Sequence, residues 1–172
     1  MSLTIRKAVP ADAPHIVRLI KDLALYEKDP DAAVVTESDI LRDAFSDHPV
    51  IHTIMADWNG VPVGFALYFY NYSTWQGRKG LYLEDLYVDP PFRKLGIGKG
   101  LLIVLARIAR KLGCGRVVWQ VLDWNTPSID FYESIGARHM SEWLTYRLEG
   151  DAITALASQN PGILPDTATL LP

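Results

Sequence analysis

Asp89-Pro90-Pro91-Phe92-Arg93-Lys94-Leu95-Gly96-Ile97-Gly98-Lys99-Gly100 joins an apolar, strand-like segment at residues 81–88 to a helix-like segment at residues 101–112. Glycine lets the backbone approach a ligand closely and tolerates positive φ. The amides at the start of a helix have no partner inside the helix, so they can bind anions. A turn that carries three glycines together with Arg and Lys at this junction therefore predicts a phosphate-binding loop.

Three interpretations of the loop compete with a glycine-rich connection that binds nothing. A Walker loop needs Gly-Lys followed by Ser or Thr at a fixed spacing, which the chain lacks. The dinucleotide fingerprint fits Gly96 and Gly98, but Leu101 stands at the third glycine position and no acid lies about 20 residues further on. The pattern Arg/Gln-x-x-Gly-x-Gly/Ala, which is the acetyl-coenzyme A loop of the GNAT acetyltransferases, matches residues 93–98 in full.

Composition sets the class of protein. The 172 residues are 49% hydrophobic and 22% charged, which is typical of one globular domain with a core. The net charge is −3 and the basic residues are not grouped, which argues against nucleic acid as the main partner. Apolar runs are too short to span a membrane and no signal peptide is visible, so we expect no membrane partner.

Cysteine and histidine usage bears on compartment and on metal binding. Cys114 is the single cysteine, which excludes an internal disulfide and favours a reducing compartment, so we expect a cytoplasmic protein. The four histidines show no ligand spacing with one another or with Cys114. The sequence therefore predicts no metal site.

Hydrophobic periodicity and turn signals predict the element order βααβββαβαβ, an α/β fold with a mixed sheet and helices on both faces. Asp12 is the expected N-cap of the first helix, Thr36 opens the second with a capping box, and Asn59-Gly60 predicts a hairpin turn. One domain is expected over residues 1–150, with a last strand at 142–148. Residues 151–172 are expected to form a helical turn or two and a mobile tail.

Five motifs follow one another in the order and spacing of one branch of the GNAT acetyltransferases. They are Tyr72-Ser73-Thr74-Trp75, Tyr82-Leu83-Glu84-Asp85, Arg93 to Gly98, Asp123-Trp124-Asn125, and Phe131-Tyr132 with Gly136-Ala137. Over residues 3–148 the chain resembles the spermidine/spermine (diamine) acetyltransferases, and in particular their thialysine N-ε-acetyltransferase relatives. The resemblance implies the GNAT fold, acetyl-CoA as co-substrate, a homodimer and acetyl transfer to a primary amine.

Ser73 departs from the polyamine-specific branch, which is expected to have an acid at this position to hold a substrate cation. A small amine that carries its own carboxylate, such as thialysine or a lysine-like compound, is therefore the more plausible acceptor. Transfer to another amine, such as an antibiotic, an amino acid or a peptide terminus, remains an alternative. A non-catalytic acyl-CoA sensor is the alternative from a different class, although a sensor needs neither Glu84 nor Tyr132.

Acetyl transfer requires that a protonated amine lose its proton, because an ammonium has no lone pair. Glu84 is the expected acceptor of that proton, directly or through a water. Glu84 and Asp85 would also attract a cationic substrate. Strand alternation predicts that they point to opposite faces, so a structural salt bridge or surface charge is an equal hypothesis for Asp85.

The remaining roles come from the resemblance. A free backbone N–H near the end of the fourth strand, here that of Val88, would stabilise the charge that develops on the thioester oxygen. Tyr132 would protonate the departing thiolate, and Trp75 and Glu27 would shape the amine pocket. The expected cofactor contacts come from the fourth strand, the glycine loop and the segment beyond the fifth strand, namely Leu86, Val88, Arg93, Lys94, Leu95, Gly96, Ile97, Gly98, Lys99, Asn125 and Tyr132.

Overall fold

The computed structural model describes residues 2–159, so the predicted tail at residues 160–172 lies outside the described residues. The chain divides into two compact units, Met1–Thr126 and Pro127–Pro172. The first unit contains five strands and three α-helices: β1 Leu3–Lys7, α1 Ala13–Tyr26, α2 Glu37–Phe45, β2 His52–Trp58, β3 Val61–Ser73, β4 Arg78–Val88, α3 Ile97–Lys111 and β5 Val117–Val118.

The five strands form one mixed sheet in the order β1-β2-β3-β4-β5. The first four strands pair antiparallel, and β5 is parallel to β4. The predicted class, an α/β fold with a mixed sheet, is confirmed, and the element order agrees with the prediction through β5. The fifth strand is shorter than predicted, because only Val117 and Val118 pair with β4 instead of residues 116–121.

Alternation along the strands gives the sheet two apolar faces. Met55, Phe65, Leu67 and Tyr87 cluster with the buried residues of α1 and α2 on one face. Neighbours such as Ile54 alternate to the other face, which α3 covers. There the absence of a side chain at Gly100 allows close approach, because a Cβ would lie 2.9 Å from Cδ1 of Ile5 on β1.

Local signals set the ends of several elements as expected. The Thr36 side chain accepts from the Asp39 amide and the Asp39 carboxylate accepts from the Thr36 amide, which confirms the capping box of α2. Asn59 and Gly60 have φ of 50° and 83° between β2 and β3, which confirms the hairpin turn.

Asp12 lies at the N-cap position of α1, but its side chain does not cap the helix. Its carboxylate accepts from both terminal nitrogens of Arg6 (2.7 and 2.9 Å) and from the Val9 amide, and Arg6 also donates to Asp57 on β2 through Nε at 2.6 Å. The hydrogen bonds from Arg6 lower the pKa of Asp12 below its usual value. This ion-pair network fixes the beginning of α1 to the sheet.

The second unit contains most of α4 (Thr126–Ser134) and α5 (Asp151–Ala157). The predicted last strand is wrong, because residues 143–149 form neither strand nor helix. Alternating hydrophobicity shows that a segment could expose one apolar side as a strand, but not that a neighbouring strand is available to pair with it. Leu144 and Tyr146 in this segment are 77% and 90% exposed.

The described residues contain neither a membrane-spanning helix nor a group of side chains arranged for a metal ion. No helix among residues 2–159 combines the length and the hydropathy of a membrane-spanning segment. In the same range, no group of three or more His, Cys, Asp or Glu side chains is arranged to bind a metal ion.

Candidate active site

A β-bulge interrupts β4 beside its pairing with β3. Asp85 pairs with Leu67 and Leu83 pairs with Tyr68, so Glu84 is an extra residue without a partner in the ladder. A bulge bends the strand and redirects side chains, and bulges are common next to active sites. The sequence motif Tyr-Leu-Glu-Asp therefore lies on irregular backbone.

The bulge shifts the alternation of side chains along β4 by one residue from Asp85 onwards, and the opposite orientation of Glu84 and Asp85 stays a prediction. Tyr82 pairs with Phe69 and Asp85 with Leu67, and Phe69 and Leu67 lie on the same face because they are two residues apart. Tyr82 and Asp85 therefore share a face although three residues separate them. The charge of Glu84 raises the pKa of both Tyr82 and Asp85, which is consistent with all three lying together.

Three carboxylates, those of Asp85, Glu84 and Glu27, lie close enough for the charges of Glu84 and Glu27 to act on Asp85. Burial, together with the negative charges of Glu84 and Glu27, raises the pKa of Asp85 to about 7. Desolvation also raises the pKa of Glu27, which ends α1. Within residues 2–159, none of the salt bridges involves these three side chains. The arrangement suits an ammonium group supplied by a ligand.

An aromatic and amide network surrounds the end of α1. The Tyr26 hydroxyl donates to Oδ1 of the buried Asn125 at 3.0 Å. The Arg93 guanidinium lies 4.6 Å from the centre of the Tyr26 ring and 5.3 Å from that of Tyr87. Its Nε donates to the Val88 carbonyl at 2.9 Å. Arg93 thus points back towards β4 and holds the start of the glycine loop against the sheet.

The glycine loop presents unpaired amides. Lys94 has φ of 63° and Gly96, the N-cap residue of α3, has φ of 81°. Left-handed residues within a loop turn successive N–H groups towards a common point, and the α3 dipole adds partial positive charge there. In the described part of the chain, no protein group accepts a hydrogen bond from the amides of residues 94–99. These are the amides that the sequence assigns to a diphosphate.

Beyond Tyr82, the edge of β4 next to β5 has no strand partner within residues 2–159, since β5 pairs with β4 at Leu81 and Tyr82. The Asp89 amide donates to the Val63 carbonyl on β3 at 2.8 Å. Because backbone groups alternate in direction along a strand, the N–H groups of Val88 and Leu86 point to the unpaired edge. An extended ligand can therefore form strand-like hydrogen bonds there.

Two other predicted site residues, Trp75 and Tyr132, lie in the β3–β4 turn and in the second unit. Trp75 is 87% exposed in the turn between β3 and β4. Tyr132 lies on α4 in the second unit, where its carbonyl accepts from the Ala137 amide. Their catalytic and binding roles stay predictions.

Lys28, which was not predicted from the sequence, lies beside the aromatic network at the end of α1. Lys28 follows α1 with φ of 67°, and its amine lies 4.3 Å from the centre of the Trp124 ring. Asp29 donates to Ala24 and Lys28 donates to Leu25, which is the Schellman pattern that usually carries glycine at the left-handed position. No glycine marks this helix end in the sequence, so no local signal could have revealed it.

Known proteins were compared with the chain. The sequence model of the acetyltransferase (GNAT) family matches residues 17–137. A thialysine N-ε-acetyltransferase from Sus scrofa is 38% identical over 169 residues, covering 92% of this chain and 99% of the relative. An L-ornithine N5-acetyltransferase from Arabidopsis thaliana is 33% identical over 201 residues, covering 91% and 88%. A structure of an aminoglycoside N-acetyltransferase in complex with CoA is 25% identical, with a TM-score of 0.68, covering 85% and 94%.

The unusual environment of Asp85 predicts a pH-dependent stability difference. Its folded-state pKa of about 7 exceeds the ordinary value of 3.8, so its contribution favours folding at low pH and is lost as pH rises from about 4 to about 7. Asp85→Asn should therefore raise the free energy of unfolding relative to the parent protein by about 4 kcal/mol more at pH 8 than at pH 4.

Urea unfolding of both proteins at the two pH values measures this difference, and the other carboxylates cancel in the comparison. Asp31→Asn, in the exposed turn Pro30–Ala32, is the matched control. A stability difference for Asp85→Asn that is the same at pH 4 and pH 8 would contradict the assignment of a raised pKa to Asp85.

Proposed function

The chain belongs to the acetyltransferase (GNAT) family, and from that membership we propose that it transfers the acetyl group of acetyl-CoA to a primary amine of a small molecule. Two observations together carry the proposal. The first is the group of three carboxylates without a salt bridge in the described residues, namely Glu84 and Asp85 at the β4 bulge and Glu27 at the end of α1. The second is the loop of unpaired amides that follows β4. The first suits a cationic acceptor and the second suits a phosphorylated donor.

The proposed acceptors are thialysine, lysine-like amino acids and diamines. The relatives named above act on thialysine and on L-ornithine, two amines that also carry a carboxylate. Ser73 supports the same choice, because it is buried and its hydroxyl accepts from the Gln76 amide at 3.3 Å. It therefore offers no negative charge to a second ammonium group of a polyamine.

The proposed acetyl-CoA site uses the backbone more than side chains. The diphosphate would accept hydrogen bonds from the amides of residues 94–99, close to the exposed amines of Lys94 and Lys99. The pantetheine arm would pair with the unpaired β4 edge at Leu86 and Val88, and Asn125 would contact it from the segment after β5. Arg93 would act chiefly by holding the loop in place through the Val88 carbonyl.

The proposed reaction is direct attack of the amine nitrogen on the thioester carbon. Glu84 accepts the proton that the ammonium must lose, and the Val88 amide donates to the oxygen on which negative charge develops. As the C–N bond forms, the C–S bond breaks and the thiolate takes a proton from the Tyr132 hydroxyl. Asp85, the next residue along β4, helps to attract and hold the incoming cation.

A panel of acceptors tests the function. Steady-state release of free thiol from acetyl-CoA is measured with thialysine, L-lysine, L-ornithine, diamines, spermidine, an aminoglycoside and a short peptide. We expect the highest kcat/KM with the first four classes. If only the aminoglycoside or the peptide is acetylated, the proposed class of acceptors is wrong. Tight acetyl-CoA binding with no turnover of any amine would favour a sensor instead.

Two substitutions test the two proton transfers. Tyr132→Phe should lower kcat about 100-fold with little change in acetyl-CoA affinity, because only the departing thiolate needs the hydroxyl. Glu84→Gln should move the rise of kcat/KM to higher pH, where the amine is already neutral. Rates and pH profiles of the two variants measure these effects. Unchanged turnover would remove Tyr132 as the acid, and an unchanged profile would remove Glu84 as the base.

We also propose that the protein is a cytoplasmic homodimer. The single cysteine favours a reducing compartment. Residues 143–148 alternate in hydrophobicity, and Trp143, Leu144 and Tyr146 are at least 62% exposed. A second copy of the chain could bury these exposed apolar side chains by pairing with the segment, which would give the expected last strand its missing neighbour.

The dimer predicts a concentration-dependent mass. Sedimentation equilibrium of the parent protein should give about twice the chain mass of 19.3 kDa. The double substitution Leu144→Asp with Tyr146→Asp should give the single-chain mass, because charges oppose burial of this segment. Val34→Asp is the matched control, since Val34 is also exposed (82%) but lies before α2. A monomeric parent protein would contradict the proposal.

A further inference from the structure

The end of α1 carries opposite charges on adjacent residues. Glu27 is the last residue of the helix cap, and Lys28 takes the left-handed position that follows it. The charge of Glu27 acts on Asp85, which places this helix end within electrostatic reach of the carboxylates at the β4 bulge. A ligand at the bulge therefore meets both a negative and a positive group at its margin.

The Lys28 amine has a defined position. It lies 4.3 Å from the centre of the Trp124 ring, and that ring lies 6.0 Å from the ring of Tyr26, whose hydroxyl is bonded to Asn125. A cation over an aromatic face is attracted by the negative charge density of the ring. The contact restricts a flexible side chain beforehand, which reduces the entropy that binding would otherwise cost.

The backbone at Lys28 would favour a different residue. Its φ of 67° belongs to the left-handed region, where a side chain is disfavoured and helix ends commonly carry glycine. Within residues 2–159, the salt bridges include none with Lys28. An ammonium held on an aromatic ring, at a position suited to glycine and without a salt bridge to any described carboxylate, is available to a carboxylate of the acceptor.

We propose that Lys28 selects acceptors that carry an α-carboxylate, by binding that carboxylate while the acceptor's far amine lies at Glu84 and Asp85. The inference rests on the proposed function and names the acceptor class within it. Glu27 provides the complementary charge for the α-ammonium of the same acceptor. An α-amino acid with a side-chain amine satisfies all of these groups, whereas a diamine of equal length leaves Lys28 without a partner.

Two pairs of acceptors measure the effect of the α-carboxylate alone. L-ornithine differs from putrescine, and L-lysine from cadaverine, only in the α-carboxylate. Lys28→Met should lower the ratio of kcat/KM for L-ornithine to that for putrescine about tenfold, mainly through KM, because a hydrogen bond between charged groups is lost. Lys28→Arg should retain most of the ratio, since the guanidinium keeps the charge and can also stack on Trp124.

Two further variants separate selectivity from a structural effect. Lys28→Gly relieves the left-handed strain but removes the amine. If Lys28 has only a structural role, the ornithine-to-putrescine ratio of kcat/KM should stay as in the parent enzyme. The proposed role requires this ratio to fall as much as in Lys28→Met. Lys79→Met removes another amine that faces an aromatic ring, 5.2 Å from the centre of Tyr70, near the start of β4. The ratio should be unchanged in this control.

Equal loss for both members of each pair, or no loss at all, would overturn the selectivity of Lys28. Calorimetric binding of the four compounds to the protein saturated with CoA keeps the test independent of turnover. There, Lys28→Met should weaken only the binding of the two carboxylates, about tenfold. If the parent enzyme turns over none of the four amines, the proposed function fails, and the same binding comparison still decides the role of Lys28.

Discussion

The additional residue in β4 is the constraint on which the site depends. A regular strand would send Asp85 to the face opposite Tyr82, which α3 covers. The bulge brings Asp85 to the same face as Tyr82, where burial and the negative charges of Glu84 and Glu27 hold the pKa of Asp85 near neutrality. The structure thus places several like charges together, which is costly unless a cation neutralises them.

Three contacts join the separate parts of the site into one rigid frame. Arg6 and Asp12 fix the beginning of α1 to the sheet, and the Tyr26 hydroxyl fixes its end to Asn125. Arg93 lies against Tyr26 and holds the Val88 carbonyl, so the glycine loop and the unpaired edge of β4 share one support. Acceptor and donor regions are therefore positioned by the same helix, which limits how far one can move without the other.

Much of this arrangement could be predicted from the sequence because it follows from local rules. Periodicity identified the elements through β5, and the spacing of Arg93, Gly96 and Gly98 identified the loop. The bulge could not be predicted, since one additional residue leaves a short apolar pattern unchanged. The expected strand at residues 142–148 failed for a related reason, because pairing depends on a neighbour that the segment itself does not specify. Lys28 was missed because its left-handed conformation is imposed by the helix end rather than encoded by glycine.

The uncompensated carboxylates at the β4 bulge also bear on how the catalytic cycle ends. Acetylation converts an ammonium into a neutral amide, so the positive charge that we propose Glu84 and Asp85 attract disappears in the reaction itself. Electrostatic attraction that is strong for the acceptor is therefore absent for the product. The acetylated product can therefore dissociate without a conformational change at this position. For the same reason, product that accumulates is a weak competitor of the unreacted amine.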